Sequence, residues 1–419
     1  MSKKAESVSP NDRERRGPPG IIAKINATGG QLTPRKLILN GILTNISNKV
    51  YETKIDYYKI GKVIGKGAFG KVNLAINRLT GKFVALKSIN KTYMTDESSL
   101  KKIMQEYNIL KRARHQNIVR LYESFDTDSH TVYVMEVCGG GDLLTYVRRR
   151  RKLKEDLAKH VFRQLVQGLT YVHSKRVLHR DIKLDNILLT SEGDVKICDF
   201  GVSKLVQSKN QIQHEQCGTP AYIAPEVFKG KGYKGFQSDV WSAGVVLYAM
   251  LFGTVPFKAT NMGELQQQII NVQCSWGQPG DISEGALSML KRILEADPNK
   301  RLTPQQIMID PWMQLTEQQI SKIEVFTQHE KEKIISDFEY YNQKKEDGKA
   351  GDDPFLEQKL QSTQNSIIKN NTTKSVILAP FNSTKSHISD TFYKRDSIQE
   401  LLVSKSVLNF ANKCKEINR

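Results

Sequence analysis

Residues 178–189 read LHRDIKLDNILL and residues 196–201 read KICDFG. Between strand-like apolar flanks, Asp181, Asp185, Asn186 and Asp199 bring four acid or amide groups, and Lys183 a cation, into two short loops. Charges this dense beside apolar strands are costly to hold unless they are paired or serve an ion or a phosphate. Structural salt bridging is the alternative reading.

Upstream, IGKGAFGKV at 64–72 contains Gly65, Gly67 and Gly70. A lone GxGxxG also fits a dinucleotide turn, which should open a helix and be followed by an acid about 20 residues on. Here the loop leads into KVNLAIN, which alternates like a strand, and VALK with Lys87 stands where the acid would be. A glycine loop between two strands can lie over a nucleotide triphosphate and offer it backbone amides.

The runs YYKIGKVIG, KVNLAIN, KFVALKSI, IVRLYESF and TVYVMEV predict a five-stranded sheet interrupted by one helix. That helix, SSLKKIMQEYNILKRARH, has Ser98 or Ser99 as its expected N-cap and Ile103, Tyr107 and Leu110 on one face. Glu106 borders the stripe, so it either sits at a solvent edge or meets a buried cation.

After Cys138 the period becomes helical. Val161, Leu165, Leu169 and Val172 form one stripe, and SDVWSAGVVLYAMLFG is apolar all round, which predicts the buried centre of a larger helical lobe. The expected organisation is a flexible basic arm over 1–50, a catalytic domain over 51–313 with lobes of about 57–137 and 138–313, a single helix within 314–345, and a Ser/Thr/Lys-rich tail over 346–419. The terminal IQELLVSKSVLNFANKCKEINR could form a helix that binds calmodulin, another regulatory partner or the catalytic domain itself.

In order, GKGAFGKV, VALK, HRDIKLDN, DFG, GTPAYIAPE and SDVWSAGV resemble a eukaryotic protein kinase domain over residues 57–313. CGTPAYIAPEV and DPNKRLTPQQIMIDPWM are similar to the calmodulin-dependent and AMP-activated kinase group. The resemblance implies an α+β, bilobal fold and ATP and magnesium (Mg2+) as cofactors. Lys87 would hold the α- and β-phosphates and pair with Glu106. Asp181 would take the substrate hydroxyl's proton, Lys183 would neutralise the transferred group, and Asn186 and Asp199 would bind magnesium. Ile64, Val72, Ala85 and Leu188 would sandwich the adenine, with Met135 as gatekeeper and Glu136 and Cys138 offering backbone hydrogen bonds. Glu226 and Arg301 would form an ion pair that fastens the activation segment.

The substrate class implied is a serine or threonine hydroxyl of a protein, since Lys183 follows Asp181 by two and Thr219 is placed to bridge them. Asp142 and Asp185 match positions where related kinases receive a basic residue upstream of the phosphoacceptor; both could instead be solvated or cap helices. A kinase-shaped scaffold without activity is the competing reading, but Lys87, Asp181 and Asp199 are all present.

Net charge is +19, and a nucleic-acid partner has no recognition motif to support it beyond that charge. RRRRKLK at 148–154 could be a nuclear signal, an anionic-lipid patch or an exposed basic face. The five cysteines form no CxxC pair and no metal-ligand spacing, and no window has the apolar length of a membrane span, so an intracellular, cytoplasmic protein is expected, with nuclear entry open.

One departure stands out in QIQHEQCGT at 211–219. Related kinases carry a regulatory threonine two residues before the cysteine, and this chain carries Glu215. Arg180 and Lys204, the cations that would receive the phosphate, are both kept. A carboxylate offers about −1 against roughly −1.5 to −2 for a phosphate, so the expectation is partial mimicry and basal activity without activation-loop phosphorylation.

Overall fold

The computed structural model of the chain describes residues 54–67, 70–94 and 97–343. The arm expected over 1–50 and the tail expected over 346–419, with its terminal helix, lie outside the described residues.

Strands β1 (Tyr58–Gly67), β2 (Gly70–Asn77), β3 (Phe83–Asn90), β4 (Leu121–Asp126) and β5 (His130–Met135) form an antiparallel sheet in the order β1-β2-β3-β5-β4. Both faces of the middle strands are covered: Leu86, Val132 and Val134 share one face, Leu74 and Ile89 the other, and all five are buried. The register of β1 against β2 shifts on both sides of Val63, which bends the ribbon as it enters the glycine loop. At Gly70 the backbone presses so close to β3 that a Cβ would meet the Ser88 carbonyl oxygen at 1.8 Å, so only glycine fits.

Helix α1 (Glu97–Arg112) buries Ile103, Glu106 and Leu110. It begins at Glu97, so Ser98 and Ser99, expected as its N-cap, lie inside the first turn. An acid in that turn is favoured by the partial positive charge of the helix start, which carries the helix past the serines.

The larger lobe contains β6 (Gly141–Asp142), α2 (Leu143–Arg150), α3 (Glu155–Ser174), β7 (Val177–Leu178), β8 (Ile187–Leu189), β9 (Val195–Ile197) and β10 (Lys204–Leu205), then α4 (Pro225–Phe228), α5 (Gly235–Phe252), α6 (Met262–Ile270), α7 (Glu284–Ile293) and α8 (Pro304–Ile309). Val161, Leu165, Leu169 and Val172 of α3 are buried as their spacing requires, and every residue of α5 from Val240 to Leu251 except Ser242 is buried. A helix surrounded on all sides has no polar stripe to spare, which is why its apolar residues run all the way round.

The stretch expected as one helix within 314–345 is two, α9 (Glu317–Ser321) and α10 (Gln328–Gln343). Between them Val325 and Phe326 turn inward, 6 % and 5 % exposed, and burying them breaks the helical path. The chain restarts through a capping box: Thr327 N donates to Glu330 Oε2 at 2.9 Å and Glu330 N to Thr327 Oγ1 at 3.2 Å.

Candidate active site

The site is assembled where the small sheet meets the loops of the large lobe. Lys87 faces out of β3 opposite Val72 of β2, and its Nζ donates to Glu106 Oε1 of α1 at 2.5 Å. Glu106 is only 2 % exposed, so the acid beside the apolar stripe meets a buried cation. Burial pushes the Lys87 ammonium down, but Glu106 and Asp199 outweigh it and hold the group charged.

Below it, Asp181, Lys183 and Thr219 close a triangle. Lys183 Nζ lies 2.9 Å from Asp181 Oδ2 and donates to Thr219 Oγ1 at 2.9 Å, and Thr219 Oγ1 donates to Asp181 Oδ1 at 2.8 Å. Thr219 N donates to the same oxygen at 3.0 Å. Asn186 Nδ2 donates to Asp181 O at 2.8 Å and Oδ2 at 3.0 Å. Burial lowers the Lys183 ammonium, and Asp181, with smaller effects from Asp185 and Asp199, more than restores it.

The loops carrying these groups are held in unusual backbone. Arg180 and Asp199 have φ of 68° and 60°, a left-handed region that side chains adopt only when the surroundings impose it. Asp239 imposes the first. Buried in α5, it accepts from His179 N at 2.9 Å, Arg180 N at 2.7 Å and His173 Nε2 at 2.9 Å. Phe200 of DFG is buried against the His179 ring at 4.9 Å, which keeps the aspartate before it facing the cleft. Gln105 of α1 donates to Ser203 O at 3.0 Å, a direct link from α1 to the activation segment.

Asp239, His179 and Gln105 hold these loops in place, and motif reading left them without a role. For Asp239 a signal existed: it is an acid in a helix otherwise too apolar to tolerate one.

The apolar residues expected around adenine, Ala85 excepted, are less buried than their strand neighbours. Ile64, Val72, Leu188 and Met135 are partly exposed, while their neighbours Leu74, Leu86 and Leu189 are buried. Ala85 is buried and pairs with Met135 across β3 and β5. Glu136 N already donates to Arg120 O at 2.9 Å, which leaves its carbonyl for a nucleotide. Cys138 is pushed up to about 12 by burial, and Cys198, packed with its Sγ 3.4 Å from Asn186 O, is raised well above the usual thiol value, which favours the neutral thiol at both.

A nucleotide and a divalent ion fit these groups. A Cβ on Gly67 would stand 3.9 Å from Lys87 Cε, which places the end of β1 beside the lysine. Asn186 commits its amide nitrogen to Asp181 and keeps its oxygen, and Asp199 accepts within its own loop from Gly201 N. Among the described residues no cluster of three or more His, Cys, Asp or Glu could hold a metal. An ion held by Asn186 and Asp199 would complete its shell with phosphate oxygens and water, the mode suited to magnesium.

Farther out, Arg301 donates bidentately to Glu226 at 2.7 and 2.8 Å, and the pair is buried. Glu215 accepts from Arg180 Nη1 at 2.6 Å and Lys204 Nζ at 2.9 Å. Burial pushes its carboxyl up, but the hydrogen bonds and charges of the two cations bring it down to about 2. Tyr233 Oη donates to the Glu215 carbonyl at 2.8 Å, a further anchor absent from the sequence reading. Asp142 caps α2, accepting from Thr145 N at 2.7 Å and Thr145 Oγ1 at 3.0 Å. Asp185 is exposed, and desolvation raises its carboxyl against the pull of Lys183.

A five-stranded sheet with a lysine–glutamate pair, above a helical lobe presenting an aspartate–lysine–threonine triangle and a DFG loop, defines a protein kinase. Residues 58–313 match the protein kinase domain family, and the chain belongs to it. It is 42 % identical over 257 residues to CBL-interacting serine/threonine-protein kinase 15 of Arabidopsis thaliana, covering 61 % of this chain and 60 % of that protein. It is 40 % identical over 263 residues to CBL-interacting protein kinase 24 of Oryza sativa subsp. japonica, covering 63 % and 58 %. The chain thus matches less than two thirds of the length of these relatives.

Proposed function

We propose that the protein is an ATP- and magnesium-dependent serine/threonine kinase acting on protein substrates. The observation that carries this is the Asp181–Lys183–Thr219 triangle standing below an intact Lys87–Glu106 pair. A serine or threonine hydroxyl directed at Asp181 attacks the γ-phosphorus. The new O–P bond forms as the bond to the β-phosphate bridging oxygen breaks, the proton goes to Asp181, and ADP leaves. Lys183 and Lys87 hold positive charge where phosphate charge develops, which is the main source of acceleration in this reaction class. Magnesium, when bound at Asn186 and Asp199, would neutralise the phosphates. The test is transfer from radiolabelled ATP to serine, threonine and tyrosine peptides; label on the first two that disappears in Asp181→Ala is expected, and no Asp181-dependent label would favour an inactive scaffold.

The activation segment is read as ordered by Glu215 in place of a phosphate, which gives basal activity without an upstream kinase. Upstream basic residues in the substrate are read as meeting Asp185 and Asp142. A cytoplasmic location is proposed from the demand for ATP and from Cys138, Cys198, Cys217 and Cys274 being free thiols. Of the basic run at 148–154, Arg150 is engaged with Glu330, while Arg148, Arg149, Arg151 and Lys152 are exposed and fit a solvated face. A protein partner for the region after the kinase domain is proposed on the names of the relatives, which are called CBL-interacting.

A further inference from the structure

The catalytic geometry does not account for α10. Its Phe338 ring packs against Phe83 at the start of β3, centroids 5.0 Å apart. A Cβ on Gly139, in the linker that follows β5, would stand 2.7 Å from Phe338 and 2.9 Å from Ile334. At the near end Phe326 fills the space beside Gly140, where a Cβ would meet it at 2.6 Å, and packs edge-on to Tyr146 of α2 at 5.4 Å. Tyr146 Oη donates to Val325 O at 2.5 Å, and Arg150, over the Tyr146 ring at 3.9 Å, donates to both Glu330 oxygens at 2.9 Å. Residues 325–338 therefore touch the small sheet, the linker and the large lobe.

The linker needs such a support. Gly139, Gly140 and Gly141 follow directly on Glu136 and Cys138, the expected adenine contacts, and three successive glycines are the least constrained backbone available. A side chain at Gly139 would also displace the helix and one at Gly140 would displace Phe326, so linker and strap residues fit one another.

We propose that residues 325–338 form a strap that fixes the linker, which makes Phe338 and Phe326 positioning residues for the nucleotide. The catalytic meaning of the strap rests on the ATP-binding reading above. It coexists with a formed Lys87–Glu106 pair and a buried Phe200, so it is compatible with the competent arrangement.

The experiment uses the full chain as wild type, Phe338→Ala and Phe338→Leu. KM for ATP, KM for a serine peptide and kcat are measured, together with hydrogen exchange of residues 136–141 without nucleotide. An aromatic pair contributes a factor of roughly 2 to 12, so Phe338→Ala should raise KM for ATP by about that much, with peptide KM and kcat changed by less than about twofold. Linker exchange should speed up, and Phe338→Leu should restore both readings in large part. Unchanged linker exchange, or a rise in kcat in Phe338→Ala, overturns the strap. Should wild type transfer no phosphate, the kinase reading fails, while linker exchange still decides the strap: faster keeps it and equal removes it. Should Phe338→Ala not fold, Glu330→Gln, which loosens the Arg150 anchor, gives the same exchange reading.

Discussion

Arg180 Nη1 donates to the Glu215 carboxylate at 2.6 Å, joining the residue beside Asp181 to the middle of the segment between DFG and APE. Lys204 completes the clasp at 2.9 Å. Bacterially produced, phosphatase-treated protein should therefore be active. Glu215→Gln keeps the shape and loses the charge, and should lower kcat/KM several-fold. Equal rates for Glu215→Gln and wild type, or an inactive dephosphorylated wild type, would remove this role.

The same contact has a pH signature. The folded Glu215 carboxyl, at about 2, lies below its ordinary value of 4.5, so its contribution is complete above about 4.5 and is lost as pH falls through 2. Because the side chain is 53 % exposed, screening leaves that contribution at about 1 kcal/mol. A phosphate, with a second pKa near 6, would change charge between about pH 5 and 7. Activity profiles of wild type should show no step from this group there, whereas Glu215→Thr, once phosphorylated, should gain one.

Replacing Asp181 by Asn should reduce kcat by roughly 10²–10⁴, the range set by loss of a positioned general base. Thr219→Val removes the hydroxyl that joins Asp181 to Lys183 and should cost part of the same factor in kcat, while Thr219→Ser retains it. Steady-state kinetics with one peptide suffice. A Thr219→Val enzyme as fast as Thr219→Ser would mean that the backbone N–H of residue 219 alone positions Asp181.

How far the chain could be read in advance depended on what each residue's partner lay next to. The order of motifs fixed the bilobal fold because Lys87, Asp181 and Asp199 each belong to a local pattern with its own apolar flanks. Glu106 was legible as one of two alternatives, since a helical stripe shows which face is buried but not what waits behind it. Asp142 was open between substrate contact and helix cap, and the cap is what it makes in this structure. The strap was not legible: Phe338 lies in a polar helix, and the reason for it is Phe83 and Gly139, far away in sequence. The break at 322–327 was missed for the same cause, because Val325 and Phe326 answer to Tyr146 and Gly193 rather than to their own helix.

Arg301 and Glu226 make a buried bidentate pair, and Arg301 also donates to Gln237 O at 2.7 Å. Arg301→Ala leaves a buried carboxylate uncompensated, which costs about 3–5 kcal/mol. Thermal unfolding should show a large fall in Tm. The double variant Arg301→Met with Glu226→Gln should recover part of it, because no lone charge remains. A fall in the double variant as large as in Arg301→Ala would show that the arginine's contacts with backbone carbonyls, not the ion pair, carry the effect.

Asp142 allows substrate preference to be separated from stability. Asn caps a helix as well as Asp does, so Asp142→Asn should leave Tm unchanged, while Asp142→Ala should cost about 1 kcal/mol. If Asp142 also receives a basic residue of the substrate, the loss of its charge should weaken selection for Arg or Lys upstream of the phosphoacceptor in a peptide library, and Asp185→Asn should weaken it further. Because Asp185 lies near Lys183, whose charge acts on it, its variant should also move kcat. A library in which Asp142→Asn selects the same peptides as wild type would confine Asp142 to its cap and leave Asp185 as the acid that reads the substrate.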